Sequence, residues 1–339
     1  MSRLFDLLCY HDYTKNIGTI IVKISIIVEI KQKKRYNLSI IRKEFMILHK
    51  YHIDFMNIGI VILNYNDSQT TIDLLMRVQE FKNLNSIVVV DNNSTDDSYK
   101  ELINYSNDKI KIIRAAENNG YSYGNNIGCQ YLSKKNVDYI IVSNPDVVFS
   151  EEDINKLIES FSKNTAIVAP TIQEGDFLNR GWKFPSVFID GMSNINYIGR
   201  KFKRKILYSE EYYKNNYSKV DVVSGCFFII KREVFDKIEG FDENVFLYYE
   251  ESMISKKIEK IGKDIIVNNK VQIVHKHSVS IDKSIGKIKK FKILTKSQRY
   301  YHKNYNNANT LQILFLHVTC FIAITISYLL SLFKHNKKS

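Results

Sequence analysis

Two adjacent carboxylates, Glu250 and Glu251, follow the aromatic and apolar run Phe246-Leu247-Tyr248-Tyr249, itself preceded by Phe241-Asp242-Glu243-Asn244. A carboxylate within hydrogen-bond reach of a hydroxyl can take its proton as that oxygen attacks, which is general-base chemistry. Three polar segments lie upstream, each behind an apolar run: Leu63-Asn64-Tyr65-Asn66, Val90-Asp91-Asn92-Asn93-Ser94-Thr95-Asp96, and Ser143-Asn144-Pro145-Asp146. A carboxylate at the end of a strand, such as Asp91, can accept the imide N–H of a uracil or thymine ring. Asn118-Asn119-Gly120-Tyr121, followed by Gly124-Asn125-Asn126-Ile127-Gly128, stands before a helical stretch. Glycine there permits close backbone approach, and a helix N-terminus offers free N–H groups to phosphate. Plainer readings stand beside these. Asp91 could open a turn in which Ser94 or Thr95 caps a helix. The Gly/Asn cluster could be only a turn, and the two glutamates only dipole-favoured residues of a first helical turn.

The elements that must position these residues alternate. Apolar runs at 58–63, 86–90, 110–113 and 139–143 read as strands, and 68–80 and 95–105 between them read as helices. Strand–helix alternation predicts an α/β domain with a mostly parallel twisted sheet flanked by helices. Ligands of such sheets bind beyond the carboxyl ends of the strands, where Asn64, Asp91 and Asp146 fall.

The chain of 339 residues is 45% hydrophobic and 25% charged, an ordinary folded composition that argues against global disorder. Its net charge of +13 is unevenly spread. Residues 1–55 hold ten Lys/Arg against five acids, residues 270–303 ten against one, and the last six residues three more, so the centre is net acidic. A basic patch on a binding domain would suggest nucleic acid; basic flanks beside an apolar segment suggest an anionic membrane surface instead. The four cysteines (Cys9, Cys129, Cys226, Cys320) include no CxxC pair, which fits a reducing compartment. The N-terminus lacks the features of a secretory signal.

Four segments are expected. Residues 1–55, an N-terminal extension with no clean period, read as poorly ordered or as an over-extended start before Met56. Residues 56–280 form the α/β domain. Residues 281–310 read as a basic amphipathic segment on a membrane surface, with Ile281, Ile285, Ile288, Phe291 and Leu294 at helical spacing among lysines; a helix packed on the domain with a solvated lysine face is the alternative. Residues 311–339 are an apolar membrane-associated tail, in which 311–333 carries no Lys, Arg, Asp or Glu. That length fits either a span or an interfacial helix.

The four chemical segments, in this order, resemble the motifs of family 2 glycosyltransferases. The resemblance covers roughly residues 56–280 and implies a GT-A fold with inverting displacement at the anomeric carbon of a nucleotide sugar. It implies that Glu251 is the base and Glu250 its support. It implies that Asn64, Tyr65, Asn66, Asp91, Asn92, Asn119, Gly120, Asn125, Asn126 and Gly225 bind the donor, a UDP- or dTDP-sugar. Asn144-Pro145-Asp146 stands where the family carries an Asp-x-Asp motif, so Asp146 would hold Mg²⁺ or Mn²⁺ against the diphosphate, with His275, preferred over His277 in the same closing His motif, His275-Lys276-His277-Ser278, adding a metal or phosphate contact. The commoner family form has Asp at the base position and another two residues on, where this chain has Glu251 and Met253. The Asn-Pro-Asp and Glu-Glu forms look most like rhamnosyltransferase-type enzymes of bacterial capsule or O-antigen synthesis. Those act on lipid-linked saccharides, which implies the cytoplasmic face of the cell membrane, peripheral or tail-anchored. Two other readings compete. A nucleotidyltransferase would need a glycine-rich basic loop beside the first strand, which Asn64-Tyr65-Asn66-Asp67 does not supply. A membrane-surface protein that binds nucleotide sugar but has lost catalysis is suggested by Met253 and the missing first metal carboxylate.

Overall fold

The computed structural model describes residues 56–276 and 286–335; the expectations for residues 1–55 and for Ile281 and Ile285 lie outside them. The N-terminal half alternates as the apolar runs predict: β1 (Ile58–Asn64), α1 (Ser68–Val78), β2 (Leu84–Asp91), α2 (Ser98–Leu102), β3 (Ile110–Arg114), α3 (Tyr121–Lys134) and β4 (Tyr139–Ser143). These strands pair in parallel in the order β3-β2-β1-β4. Strands covered by helices on both faces read as continuous apolar runs rather than as alternation. Alternate residues of β1 feed opposite layers: Ile60 and Ile62 pack with Leu74, Leu75 and Val78 of α1, while Val61 packs with Cys129 and Leu132 of α3. Helix α3 lies close on β1 because Gly124 and Gly128, one turn apart, face it; a Cβ on either would collide with Leu63 or Val61.

The chain continues through β5 (Val147–Val148), α4 (Glu151–Ile158), β6 (Thr165–Glu174), β7 (Phe177–Asn179), α5 (Val187–Ser193), α6 (Asn196–Lys203), β8 (Tyr217–Val220), β9 (Phe227–Lys231), α7 (Arg232–Lys237), α8 (Glu250–Lys260), β10 (Asp264–His275), α9 (Lys287–Tyr305) and α10 (Thr310–His335). Helix α4 starts at a capping box in which Ser150 and Asp153 satisfy each other's backbone N–H. The sheet extends as β4-β9-β6-β10-β5. Here the expected parallel arrangement gives way to a mixed one. Strand β9 runs antiparallel to both β4 and β6, and β10 runs parallel to β6 but antiparallel to β5 and β8. β9 is short and apolar up to its closing Lys231, a pattern that carries no information about direction.

Helix α9 departs from the expected membrane-surface segment. Its buried face is polar, made of Thr295, Ser297, Gln298, Tyr301 and His302, and this face packs on the domain. Ile288, expected on the apolar stripe, is exposed, as a membrane-facing residue would be. Helix α10 buries Leu316, Thr319, Cys320 and Ala323 and leaves its other face open.

Candidate active site

Strand ends gather the candidate residues in two groups. In the first, Asp91 closes β2 beside Asn64 closing β1, in parallel register. Asp91 is fully buried; one carboxylate oxygen accepts from Asn64 Nδ2 at 2.9 Å, the other from the Ser94 backbone N–H at 3.1 Å. Arg114 Nε lies 3.8 Å from Asp91. Asn66, in the left-handed region at φ 53°, joins the two loops: its Nδ2 donates to Thr95 Oγ1 at 3.1 Å and its Oδ1 accepts from Thr95 N at 2.8 Å. Tyr65 is half-buried between them.

At the start of α3, Asn92 Nδ2 donates to the carbonyl of Gly120 at 3.1 Å and to Asn118 Oδ1 at 3.0 Å. The Asn92 Oδ1 and Asn125 Oδ1 atoms are buried with no protein partner. A buried acceptor left open in a folded chain costs about 1–3 kcal/mol, so a ligand hydroxyl or N–H there would recover that energy. Asn119 is exposed and bonds Glu117 at 2.5 Å. Asn126 is occupied elsewhere: Phe241 holds its amide on both sides, at 3.0 and 2.9 Å, and Glu243 accepts from it at 2.6 Å. The first N–H of α3 is also taken, since Tyr121 N donates to the Phe246 carbonyl at 3.0 Å.

The second group forms where β4, β6 and β10 end and the antiparallel β9 begins. Asp146 immediately precedes β5, and β5 pairs His275 of β10 with Val147. That register brings His275 Nε2 to 3.1 Å from Asp146 Oδ1. On the other side of the ring, His275 Nδ1 is 3.4 Å from Glu174, which closes β6. Cys226 enters from the start of β9, where its carbonyl accepts from Asn144 N at 2.8 Å. Ligand atoms of Glu174, Cys226 and His275 lie within 4.8 Å of one another. Burial works against a charged imidazolium, but hydrogen bonds with Asp146, Cys226 and Glu174 outweigh it and push the His275 pKa up to about 12. The Asp146 and Glu174 carboxylates and the His275 ring, once it gives up its proton, are donors a hard divalent cation takes, whereas the soft Cys226 sulfur is not a preferred donor for one. Glu174 was not among the sequence candidates, although it follows an apolar strand just as Asp91 does.

The carboxylate pair opens α8 between these groups. Gly225 N donates to Glu251 Oε1 at 3.3 Å, and a Cβ at Gly225 would come within 3.1 Å of that side chain. Tyr121 donates its hydroxyl to the Gly225 carbonyl at 2.5 Å. Glu250 is buried with one carboxylate oxygen lacking a partner. Desolvation, then repulsion from Glu251, raises the Glu250 pKa well above the usual carboxylate range, and desolvation raises that of Glu251. This outweighs the favourable helix dipole.

The approach to the pair is strained. Tyr248 and Tyr249 both lie in the left-handed region, at φ 72° and 69°. Such backbone costs about 1–3 kcal/mol per residue and persists only where surroundings over-determine it. Helix α9 supplies those surroundings. Ser297 Oγ donates to the Leu247 carbonyl at 2.7 Å, Gln298 Nε2 lies 3.2 Å from Tyr249 Oη, and Tyr300 and Tyr305 donate to Asp242 at 3.0 and 2.6 Å. Tyr249 Oη donates to Asp190 of α5 at 2.5 Å, and the same carboxylate oxygen is 2.7 Å from buried His302. Met253 is fully buried against Val245 and Tyr301, so its apolar side chain serves this packing.

Comparison with known proteins bears on the family and the fold. The model of glycosyl transferase family 2 matches residues 59–239, and the chain belongs to that family. A low-salt glycan biosynthesis hexosyltransferase of Haloferax volcanii is 29% identical over 199 residues, covering 58% of this chain and 59% of the relative. An N-acetylglucosaminyl-diphospho-decaprenol L-rhamnosyltransferase of Mycobacterium tuberculosis is 25% identical, covering 52% and 62% respectively. The chain thus spans about three fifths of the length of these two relatives. A mannosyltransferase from Pyrobaculum calidifontis, solved in complex with GDP-Man and Mn²⁺, shares the fold at a TM-score of 0.51 and 14% identity, covering 79% of this chain and 71% of that one.

Proposed function

We propose that this protein is an inverting glycosyltransferase that moves a sugar from a UDP- or dTDP-sugar to a lipid-linked saccharide in the assembly of a bacterial surface polysaccharide. The observation that carries the reading is the meeting of Glu251 with Gly225, between the Asp91 and Asp146 groups, in a member of this family. The donor would lie across the strand ends. Asp91 accepts the N–H of its base, Asn64 and Asn66 fix the loops around it, and the open oxygens of Asn92 and Asn125 accept from its hydroxyls. Tyr65, Asn119 and Gly120 belong to the same rim, whereas Asn126 acts by tethering the 241–243 segment. Gly225, lacking a side chain, leaves room for the transferred sugar beside the base.

Asp146 and His275, with Glu174 and Cys226 beside them, would hold Mn²⁺ or Mg²⁺, which when bound neutralises charge on the departing diphosphate. Glu251 takes the proton of the acceptor hydroxyl as it attacks from the opposite side. Burial keeps that carboxylate basic, and Glu250 beside it is pushed further up by the Glu251 charge. The lipid-linked acceptor rests on the relative named for a diphospho-decaprenol-linked sugar and on α10, whose Thr310–Tyr328 stretch is long and apolar enough to cross a membrane. Placement at the cytoplasmic face follows from the nucleotide donor.

Thermal shift of the full chain in detergent, with UDP- and dTDP-sugars and with or without Mn²⁺, tests this. A metal-dependent rise with one nucleotide class is expected. No shift with any donor would leave the fold without the donor site.

A further inference from the structure

Helices α5, α6 and α10 share one surface. Phe188 of α5 is 57% exposed, yet its ring stacks on Phe315 of α10 at 6.1 Å and meets Phe202 of α6 edge-on at 5.8 Å. Around this junction, Ile198, Leu207, Leu311, Leu314, Val318 and Phe321 are also exposed. Contiguous exposed apolar surface of this kind marks an interaction face.

The same surface is strongly basic. Arg200, Lys201, Lys203, Arg204 and Lys205 are all exposed. None pairs with an acid among the described residues, and the next acids in sequence, Glu210 and Glu211, are already paired with Arg180 and Lys214. Lys205 Nζ stands 4.8 Å from the Phe202 ring, so the cations adjoin the apolar cluster directly.

Helix α10 lies along this face. Its buried residues, Leu316, Thr319, Cys320 and Ala323, form one stripe against the domain; Asn194 Nδ2 lies 3.4 Å from Thr319 Oγ1, and Cys320 Sγ lies 3.4 Å from Thr295 Oγ1. A helix packed on the domain along two turns cannot be sheathed by acyl chains over those turns. Its outer residues can still enter a bilayer lying parallel to it.

We propose that α5, α6 and the outer face of α10 dock on an anionic phospholipid bilayer, with the cations of residues 200–205 against headgroups and Phe188, Leu311 and Leu314 in the acyl boundary. An apolar patch rimmed by unpaired cations matches an anionic interface on both counts. The proposal extends the lipid-linked acceptor reading but uses none of its catalytic residues.

The test is sedimentation of the full chain with vesicles of phosphatidylcholine alone or mixed with phosphatidylglycerol. The triple variant Arg200→Gln, Lys201→Gln, Lys203→Gln should keep the wild-type melting temperature. It should lose about fivefold in binding to anionic vesicles per cation removed, on the order of a hundredfold in all, with neutral vesicles unaffected. Phe188→Ser should weaken binding to both vesicle types. Anionic binding unchanged in the triple variant overturns the proposal. So does self-association abolished by Phe188→Ser without vesicle binding, which would make the face a contact between copies. Normal vesicle binding without sugar transfer would sink the transferase reading and leave this one standing.

Discussion

The hydroxyl of Tyr249 donates to Asp190 at 2.5 Å, tying the residue just before the carboxylate pair to a helix residue 59 positions upstream in sequence. The bond holds a left-handed tyrosine whose backbone would otherwise relax. Tyr249→Phe should lower stability by about 1–3 kcal/mol. It should also reduce kcat with little change in KM for donor, because the base moves while the nucleoside loops do not. Denaturant melts and steady-state kinetics check both parts; a change in donor KM alone would place Tyr249 outside base positioning.

The raised pKa values of Glu250 and Glu251 set a pH dependence. The base must be ionised, so transfer should fall on the acid side at a pH above the ordinary glutamate value of 4.5. Desolvation, not a charge on Glu250, raises the Glu251 pKa, so Glu250→Gln should leave that limb close to its wild-type position. Glu251→Gln should lose about 10²–10⁴-fold in kcat while still binding donor.

Stability carries the opposite signature. A glutamate whose pKa is raised on folding is penalised once pH climbs above 4.5, where the unfolded chain ionises more readily. Glu250→Gln should therefore raise the melting temperature at neutral pH, and the gain should vanish as pH falls below that value. A pH-independent gain would point to packing instead.

Asp146 and His275 meet at 3.1 Å. Asp146→Ala should abolish metal-dependent donor binding measured by calorimetry, and chelation of the wild type should reproduce the loss. Unchanged binding would remove Asp146 from the metal site.

Gly120 has φ 97°, and a Cβ there would strike the Phe246 carbonyl. Gly120→Ala should destabilise the fold by at least about 1–3 kcal/mol and displace the 246–249 segment, lowering kcat. Retained activity in a folded variant would show that this segment moves independently of α3.

The parallel half of the fold is legible because buried strands leave unbroken apolar runs, each ending in a polar residue such as Asn64 or Asp91. The second half is less so. Nothing in Phe227–Lys231 signals an antiparallel strand between two others, and without that insertion Cys226 and Glu174 cannot be placed beside His275. Asn126 illustrates a different limit: its neighbour Asn125 keeps an open oxygen while Asn126 is consumed by Phe241, and adjacent asparagines look alike in a string of letters. Helix α9 misleads because its buried face carries Ser297, Gln298 and His302, residue types that usually mark a solvated face. They are buried because they answer carbonyls, amides and carboxylates of the 242–249 segment and α5, a match that exists only in three dimensions.

Helix α5 has two turns and faces both ways. Phe188 points outward, whereas Asp190, two residues on and 7% exposed, holds Tyr249 from within. Under the proposed docking, α5 separates the bilayer from Tyr249, the residue just before the carboxylate pair, so the base stands off the membrane. That height acts as a ruler for acceptors. A carrier lipid bearing a short saccharide stem can present its terminal hydroxyl at that level, whereas the growing end of a long polymer is held out of reach.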